Sequence, residues 1–351
     1  MTTSTDIIGW FADIGLADRP QVGGKGGSLG ELHRAGIAVP PGFVVKTAAF
    51  DRFIGALEHE GPVRHRIESL DADDLDSMRA CCKELQERVE KATLPADLLA
   101  EVAHAHTALC AGKEAAPVAV RSSATTEDAV DASFAGLQDT YLWVKGLNDT
   151  VHSLRSCWAS LYSLESVSYR RKRGLPESGV AMAVVIQQMV DARTAGVMFT
   201  RSPTTGDRSV VTIEGAWGLG SAVVGGEVTP DRWVIGKITG EISVRDISEK
   251  AIQHRPASGG GIETQPVDEA MRRAPCLSDE ELQRLRTIGR GIEKHYGRAQ
   301  DIEWAVDRHT QAILLLQSRP ETVWSSKETA PAAQGANDPL SHVMSIFGGR
   351  Q

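Results

Sequence analysis

Two stretches near opposite ends of the chain carry residue types that suit the binding of phosphate groups and a hard metal ion. Near the start, Lys25 lies between two pairs of glycines, at positions 23–24 and 26–27. Glycines lack a Cβ atom, so backbone N–H groups can approach phosphate oxygens, and the lysine adds a positive charge. The order is not the Walker pattern GxxxxGKS or GxxxxGKT, which argues against a P-loop protein. Taken alone, the stretch fits an ordinary flexible loop better than a binding site.

Near the end, Glu303, Gln317 and Arg319 fall on the two arms of a predicted β-hairpin. Magnesium prefers oxygen ligands, and a carboxylate with an amide oxygen suits it, so Glu303 and Gln317 are the predicted metal ligands. Arg319 follows Gln317 by two residues, on the same face of the strand, where it could neutralise a phosphate beside the metal. Asp301 shares the face of Glu303 and could be a second ligand or an orienting acid. The alternative is a surface salt bridge between Glu303 and Arg319.

A third candidate, Arg121, is the last residue of an apolar strand predicted over residues 117–121 and precedes two serines. An arginine at the end of a strand can clamp a phosphate with parallel N–H groups. The alternative is an ion pair with Glu127 or Asp128, which lie nearby in sequence. Because the three cationic stretches are far apart in the chain, a site that uses all of them must lie between two folded lobes.

Two further segments could complete such a site. Residues 133–140 combine small residues with hydroxyls, including Gly136 and Thr140, and resemble a mobile loop over phosphates, with a plain turn as the alternative. Residues 180–190 form a predicted buried strand, because β-branched residues run through it without a break. Its end at Gln187 could offer backbone groups to an adenine edge, although the end of a core strand is the simpler interpretation.

The composition is that of a globular protein and weighs against several functions. The 351 residues suit two domains or two lobes better than one simple core. The net charge of −8 gives no support for binding nucleic acid or an anionic membrane. A basic run at positions 170–173 is interpreted as a solvated helix end, with an anion or partner contact as the alternative.

The five cysteines and the N-terminus indicate a cytoplasmic protein with reduced thiols. The cysteines are odd in number and scattered, and none forms a CxxC pair with a metal-like mate. The N-terminus lacks the basic start and apolar core of a signal peptide. No apolar run is long enough to span a bilayer.

The elements that must position these residues are predicted as a largely helical first part followed by a strand-rich second part. A capping box formed by Ser278 and Glu281 predicts a helix that runs to about Tyr296. Past Trp324, the composition changes to that of a linker. The other predicted elements are helices at 26–35, 71–89 and 147–172, strands at 43–45, 196–200, 210–214 and 233–235, and a hairpin of 302–306 with 312–316.

Taken together and in this order, these motifs resemble the ATP-binding domain of the phosphoenolpyruvate synthase and pyruvate phosphate dikinase family. The resemblance runs from about residue 7 to residue 324 and implies an α+β, ATP-grasp-like fold of two lobes. The expected lobes are residues 1–191 and 192–324, followed by a linker and tail at 325–351. The matching stretches are 22–30, 39–43, 119–124, 133–136, 196–200, 218–220, 228–231, 301–304 and 317–320.

By position, the resemblance implies a role for eight residues in binding ATP and Mg²⁺. Three cations would hold phosphates, two oxygen-bearing side chains would serve the metal, two residues would belong to the loop near the phosphates, and one would line the adenine pocket. In that order the residues are Lys25, Arg121 and Arg319; Glu303 and Gln317; Gly136 and Thr140; and Gln187.

The resemblance also implies a reaction. The family cleaves ATP to AMP, releases the γ-phosphate, and moves the β-phosphoryl group onto a histidine of a swivelling domain. That phosphohistidine then passes the group to pyruvate, rifamycin or a phenol. In this chain His342 follows Ser341, but the glycines of the family's histidine element are absent, so we do not expect His342 to be the acceptor.

We therefore expect the ATP-binding subunit of a heteromeric phosphotransferase whose partner subunit carries the histidine domain. Two-subunit members of the family, phenylphosphate synthase and 4-methylbenzyl phosphate synthase, suggest a phenolic or benzylic alcohol as the final acceptor. Residues 340–347, a short apolar tail, could dock the partner. The alternatives are an excised ATP domain of a phosphoenolpyruvate synthase or rifamycin phosphotransferase, and a nucleotide-sensing module without turnover.

Overall fold

A computed structural model describes residues 7–112, 116–125, 139–322 and 324 of the protein. Within these residues the chain forms two antiparallel sheets, a separate two-stranded ribbon and helices packed against both sheets. This mixture confirms the α+β class predicted from the sequence. No helix in these ranges combines the length and apolar character needed to cross a membrane.

The first sheet is formed by β1 (Ile8–Trp10), β2 (Gly42–Val45), β3 (Val118–Ala124), β4 (Thr140–Val144) and β5 (Met182–Gln188). Its strand order is β1-β2-β5-β3-β4, with every pairing antiparallel. The helices of this part are α1 (Arg19–Arg34), α2 (Thr47–Glu58), α3 (Arg64–Glu68), α4 (Leu75–Lys91), α5 (Ala96–Leu109), α6 (Gly146–Ala159) and α7 (Leu164–Arg173).

The first sheet is buried on both faces, which explains the unbroken apolar runs of its central strands. Phe43 and Val45 of β2 pack into a cluster with α2 and α4–α6, whereas Val44 faces a second cluster on the other side. Trp158 of α6 anchors the first cluster, stacked on Phe53 with ring centroids 5.0 Å apart. A strand covered on both faces gains from burying every side chain, so the residues do not alternate between apolar and polar.

The second sheet is formed by β6 (Ala192–Phe199), β7 (Val210–Trp217), β8 (Asp231–Gly236), β9 (Ile242–Asp246), β12 (Gln300–Asp307) and β13 (Ile313–Pro320). Its strand order is β13-β12-β6-β7-β8-β9, again antiparallel throughout. Between β9 and β12 lie the ribbon strands β10 (Ile252–Pro256) and β11 (Ile262–Pro266). The helices of this part are α8 (Ser221–Val224), α9 (Glu269–Arg272) and α10 (Asp279–Tyr296).

Helix α10 begins and ends where the sequence predicts. The Ser278 hydroxyl accepts a hydrogen bond from the Glu281 N–H, and the Glu281 carboxylate accepts one from the Ser278 N–H, which completes the predicted capping box. Gly297 ends the helix in the left-handed conformation at φ 66°. Leu282, Leu285 and Ile292 face the core of the second sheet, so the helix covers one face of that sheet.

The glycine-rich stretch around Lys25 is part of α1 and is not a flexible loop. The helix starts at Arg19, before the glycines, and kinks at Gly23, which has φ 71°. A Cβ atom at Gly23 would overlap the carbonyl oxygen and the side chain of Ser123 in β3. The Ser123 hydroxyl bridges the kink, since it donates to the Val22 carbonyl and accepts from the Gly26 N–H. Close packing against β3 therefore requires this glycine.

Helix α1 also joins the cores of the two sheets. Val22, Leu29 and Leu32 belong to the same buried cluster as residues of β6–β8, α10 and β12–β13. The Ser28 hydroxyl donates to the Ser318 carbonyl of β13 over 2.5 Å. All strands of the first sheet lie within residues 8–188 and all strands of the second within 192–320. The division into lobes at 191 and 192 stays a prediction, and the predicted linker and tail lie outside the described residues.

The segment from 147 to 173 is helical as predicted but differs from the prediction in one respect. The long helical stretch predicted over 147–172 is formed by two helices, α6 and α7, separated by a 3₁₀ turn at Ser160–Tyr162. The basic run at the end of α7 is not wholly solvated, because Arg170 is 1% exposed. Its Nε and Nη2 donate to the two oxygens of the buried Glu177 over 2.8 and 3.1 Å. Arg170 is therefore a structural residue of the first core.

Candidate functional site

A cavity of about 750 Å³ is lined by residues of both sheets. Its walls include β3, β4 and β5 of the first sheet and β6, β12 and β13 of the second, with the glycine turn at 259–261 between β10 and β11 beside them. A volume of several hundred cubic ångströms is typical of small-molecule sites, which form preferentially where two units of structure meet. The cavity brings together Arg121, Thr140, Gln187 and Glu303 of the predicted site residues.

Arg121 ties the two sheets together at the wall of this cavity. It lies in the middle of β3, not at the end of a strand as predicted, because Ser122 and Ser123 continue the pairing with β5. Its Nη1 donates to the Leu316 carbonyl over 2.8 Å. Its Nη2 donates to Glu303 Oε2 and to the Gln317 amide oxygen, over 3.0 and 2.7 Å.

The Arg121 side chain is buried, but one of its hydrogen-bond donors has no partner in the described part of the chain. Only 8% of Arg121 is exposed, and this donor is the buried Nε. An unsatisfied buried N–H has a free-energy cost, which a ligand oxygen could relieve. The alternative partners considered from the sequence, Glu127 and Asp128, lie outside the described residues.

The predicted metal ligands face each other on the β12–β13 hairpin. Glu303 is paired directly with Gln317, as the predicted hairpin requires. Glu303 Oε2 and Gln317 Oε1 both accept hydrogen bonds from the same nitrogen of Arg121, so the two oxygens converge on one positive charge. This donor set fits Mg²⁺, which usually takes one or two protein oxygens and fills its other positions with phosphate and water. No cluster of three or more His, Cys, Asp or Glu side chains suited to a metal occurs among the described residues.

Arg319 lies next to this pair but outside the cavity wall. It is paired with Asp301 across the hairpin, and its Nε is 3.5 Å from Asp301 Oδ2, with 63% of the arginine side chain exposed. Burial raises the pKa of Asp301 to about 6, opposed by the charge of Arg319. The salt bridge between Glu303 and Arg319 that was considered as an alternative is not formed, because Glu303 pairs with Arg121 instead.

Lys25 is buried in α1, with 4% of its surface exposed. It is not among the residues that line the cavity, and neither are Gln317 and Arg319. Its positive charge acts on the Cys157 thiol of α6, whose pKa is nevertheless raised strongly by burial. Helix α1 contacts β3 through Ser123, two residues after Arg121. It contacts β13 through Ser318, the residue before Arg319. Helix α1 therefore carries Lys25 and contacts both strands on which the other two predicted phosphate-binding cations lie.

Part of the cavity wall is apolar, and Gln187 also lines the cavity. The Gln187 side chain is buried and donates to the Pro40 carbonyl over 3.1 Å. The backbone N–H groups of Gln188 and Met189 are already bonded to the carbonyls of Pro41 and Pro117. The N–H groups of these two residues are therefore already used within the protein, and the role of Gln187 in an adenine pocket stays a prediction. The apolar lining here includes Ala119, Met189, Val190, Ala195, Leu219 and Leu316.

The predicted loop over the phosphates is described only at its last residues. Thr140 begins β4, is exposed and lines the cavity. Gly136 lies outside the described residues, so its proposed role stays a prediction.

The structure adds residues to the cavity wall that the sequence did not single out. Trp143 has φ 57°, an uncommon conformation for a bulky residue, at an irregularity in the pairing of β3 with β4. Ser221 follows the Gly-Leu-Gly stretch at 218–220, and its hydroxyl lies 2.8 Å from Nδ1 of His254. The glycine-rich sequences at 218–220 and 259–261 were the available signals, whereas His254 lies in a ribbon that the sequence did not predict.

Comparison with known proteins gives several relatives of similar identity. The chain is 41% identical to a probable phosphoenolpyruvate synthase of Methanothermobacter thermautotrophicus, over 95% of this chain and 50% of that protein. It is 42% identical to one of Archaeoglobus fulgidus, over 89% and 41% of the two chains. It is 40% identical to a rifampicin phosphotransferase of a Streptomyces species, over 88% and 35%. The chain thus spans half or less of the length of these relatives.

The family of this chain follows from sequence similarity, because its similarity to solved structures is weak. The ADP complex of N5-carboxyaminoimidazole ribonucleotide synthetase covers 80% of this chain and 65% of its own at 9% identity and a TM-score of 0.24, too low to carry an argument. Residues 19–338 match the family model described as "Pyruvate phosphate dikinase, AMP/ATP-binding domain". The chain therefore belongs to this family, which confirms the predicted ATP-grasp-like fold.

Proposed function

We propose that this chain binds ATP with Mg²⁺ in the cavity between its sheets and supplies a phosphoryl group for transfer to a histidine on another domain. The observation that carries the proposal is the convergence of Glu303 and Gln317 oxygens on Arg121, at the wall of a cavity built from both sheets. The family description, an AMP/ATP-binding domain, supports ATP as the ligand. The activities named for the relatives support phosphoryl transfer as the reaction class.

In this proposal, each residue has a defined task. Glu303 and Gln317 would hold Mg²⁺, which when bound supplies charge neutralisation to the phosphate groups. Arg121 would exchange its two oxygen partners for phosphate oxygens, and its unsatisfied Nε provides a further donor. Arg319 and Lys25 would add positive charge from β13 and α1. The protein's work is then positioning and electrostatic stabilisation of phosphoryl transfer.

The binding step is tested by calorimetric titration with ATP and Mg²⁺. We expect Arg121→Ala and Glu303→Ala to weaken ATP binding at least tenfold, since hydrogen bonds to charged groups are lost. Arg245→Ala is the matched control, because Arg245 of β9 does not line the cavity and forms an exposed ion pair with Asp279 of α10. Affinity unchanged in both site variants would contradict the assignment of the site.

The transfer step is tested with a histidine domain added as a separate protein. We expect ATP to be converted to AMP and phosphate, with acid-labile phosphate on the added domain, and we expect Arg319→Ala to abolish this conversion. If Arg319→Ala transfers at the wild-type rate, Arg319 has no role in the reaction. Formation of ADP in place of AMP would contradict the dikinase type of reaction.

For the physiological partner, we propose a subunit that carries the histidine domain, with a phenolic or benzylic alcohol as the final acceptor. This rests on the resemblance to the two-subunit members of the family. Co-purification with such a subunit should weaken when residues from Ser325 onward are deleted, if the tail is the docking segment. Transfer to pyruvate or to rifampicin, but not to a cresol, would favour the activities named for the relatives instead.

A further inference from the structure

A hydrogen-bonded series of three side chains ends at the wall of the cavity. Ser221, the first residue of α8, lines the cavity, and its Oγ lies 2.8 Å from His254 Nδ1. On the other side of the imidazole, His254 Nε2 lies 3.2 Å from Glu227 Oε2. The histidine is 6% exposed, so the ring is enclosed by protein. The proposed function uses none of these three residues.

The backbone fixes the position of this series. Gly218, which precedes α8, forms a parallel β-bridge with His254 of β10. The Leu219 N–H donates to the His254 carbonyl over 3.0 Å. A Cβ atom at Gly218 would overlap the same carbonyl, so only glycine permits this approach. The turn that carries Ser221 is therefore held against the strand that carries His254.

The hydrogen-bonding roles follow from the chemistry of the three groups. An ionised carboxylate only accepts hydrogen bonds, so Nε2 of the imidazole carries a proton and donates to Glu227. In a neutral imidazole the other nitrogen, Nδ1, then accepts, so the Ser221 hydroxyl must donate to it. The hydrogen of Ser221 is thereby occupied, and the lone pairs of its oxygen remain for a ligand. With the imidazole in this neutral tautomer, Ser221 is a preoriented acceptor that selects a hydrogen-bond donor.

The surroundings of Ser221 match a sugar better than a base or a phosphate. Gly220, Gly225, Ala195 and Gly196 line the same cavity and leave its wall without long side chains here. An acceptor oxygen backed by a carboxylate repels phosphate. The cavity's apolar lining suits a base, and Arg121 suits phosphates, whereas the ribose hydroxyls are donors that neither region satisfies.

We propose that Ser221 accepts a hydrogen bond from a ribose hydroxyl of the nucleotide, with His254 and Glu227 as positioning residues. This inference rests on the proposed function, because it places ATP in the cavity. It assigns to the Ser221–His254–Glu227 series the recognition of one hydroxyl of the ribose, at the 2′ or the 3′ position. The same arrangement of hydroxyl, imidazole and carboxylate is also found around activated nucleophiles, so a covalent role is the competing outcome.

The experiment compares the dissociation constants of ATP, 2′-deoxyATP and 3′-deoxyATP, each with Mg²⁺. We expect the wild-type chain to bind one deoxynucleotide about tenfold more weakly than ATP, the effect of one lost hydrogen bond. In Ser221→Ala the ratio should fall to about one, because ATP loses the same contact. Ser221→Thr keeps a hydroxyl and should restore the ratio. His254→Gln should weaken the binding of ATP and so lower the ratio, whereas the affinity for the more weakly bound deoxynucleotide should stay unchanged.

Controls separate this inference from the proposed function and from misfolding. Ser243→Ala, on the exposed face of β9, also removes a serine hydroxyl and should keep the wild-type ratio. If Ser221→Ala unfolds, the comparison of Ser221→Thr and His254→Gln with the wild type still tests the ratio. Binding of ATP with no discrimination, or with discrimination that survives in Ser221→Ala, overturns this inference alone. A phosphorylated Ser221, seen by intact mass after incubation with ATP, replaces it with a nucleophilic role, and failure to bind ATP overturns both proposals.

Discussion

Arg121 is the residue on which both the fold and the candidate site depend. Its guanidinium satisfies two oxygens from opposite strands of the hairpin and a backbone carbonyl, all on the second sheet. A phosphate or a metal ion that enters the cavity competes for these same groups. The contact therefore holds the predicted metal ligands together in the absence of nucleotide, and its exchange would accompany binding.

The first prediction concerns the loss of this contact. We expect Arg121→Ala to lower the free energy of unfolding by about 2–3 kcal/mol, because it leaves charged and polar groups without their partner. Arg121→Lys should recover only part of this loss, since a single ammonium cannot reproduce the guanidinium fork. Urea denaturation measures both changes. Arg245→Ala should change stability by less than about 1 kcal/mol, as for exposed ion pairs.

The second prediction separates two reasons for a glycine. Gly23 and Gly36 both have positive φ, at 71° and 72°, but a Cβ would overlap Ser123 at Gly23 and would meet nothing within 4 Å at Gly36. Gly36→Ala should therefore cost only the backbone strain, about 1 kcal/mol. Gly23→Ala should cost about 2–4 kcal/mol, because the overlap adds to that strain. Equal losses in urea denaturation would mean that the packing of α1 on β3 does not require this glycine.

At the scale of elements, the sequence correctly predicted those helices and strands that are determined by local sequence patterns. The β12–β13 hairpin and the opposition of Glu303 and Gln317 follow from alternation and turn chemistry, and α10 follows from its capping box. The helix predicted over 26–35 is formed, but the glycine-rich stretch before it was interpreted as a loop and belongs to the kinked helix α1, because its glycines pack against Ser123, about a hundred residues away. Tertiary contacts of this kind cannot be inferred from a local window of sequence.

The same limit explains three other differences between prediction and structure. Arg121 was placed at a strand end because two serines follow it, but pairing with β5 buries these serines. The ribbon of β10 and β11 is short and largely polar, so it lacks the apolar pattern of a strand. Arg170 looked like part of a solvated run because its partner, Glu177, lies in a separate turn.

The third prediction uses this buried pair. Arg170 and Glu177 are 1% and 2% exposed and form a bidentate ion pair. Arg170→Met should destabilise the protein by about 3–5 kcal/mol, because it leaves a buried carboxylate unpaired. The double variant Arg170→Met with Glu177→Leu should be clearly more stable than the single variant, since it buries no unpaired charge. Denaturant midpoints of the wild type and both variants test this order, and a double variant no better than the single one would contradict it.

At the scale of the whole molecule, the contacts between the two sheets form both part of the core and the wall of the cavity. Helix α1 contributes to the buried cluster of the second sheet and contacts β3 of the first, and Arg121 joins the same sheets at the cavity wall. Nucleotide binding would therefore change contacts that hold the sheets together.

The last prediction concerns alkaline pH. All five cysteines lie in the described residues, where they are buried and form no disulfide. Burial raises the pKa of Cys82 to about 11 and the pKa of Tyr141 to about 12, and it raises the pKa values of Cys157 and Cys276 strongly. In the unfolded chain these groups ionise at their ordinary values, near pH 9 for a thiol. Above that pH the unfolded state binds fewer protons than the native state, so stability must fall as the pH rises.

Urea denaturation at pH 7.5, 9 and 10.5 measures this fall, and a thiol reagent measures accessibility. We expect the denaturation midpoint to decrease above pH 9, and the native thiols to react only as fast as the protein opens. Cys276→Ala should show a shallower decrease between pH 9 and 10.5 than the wild type, because it removes one group that ionises only in the unfolded chain. Equal slopes in the two proteins, or rapid labelling of native thiols at pH 8, would contradict burial as the cause, since a buried thiol must stay protonated until the core around it unfolds.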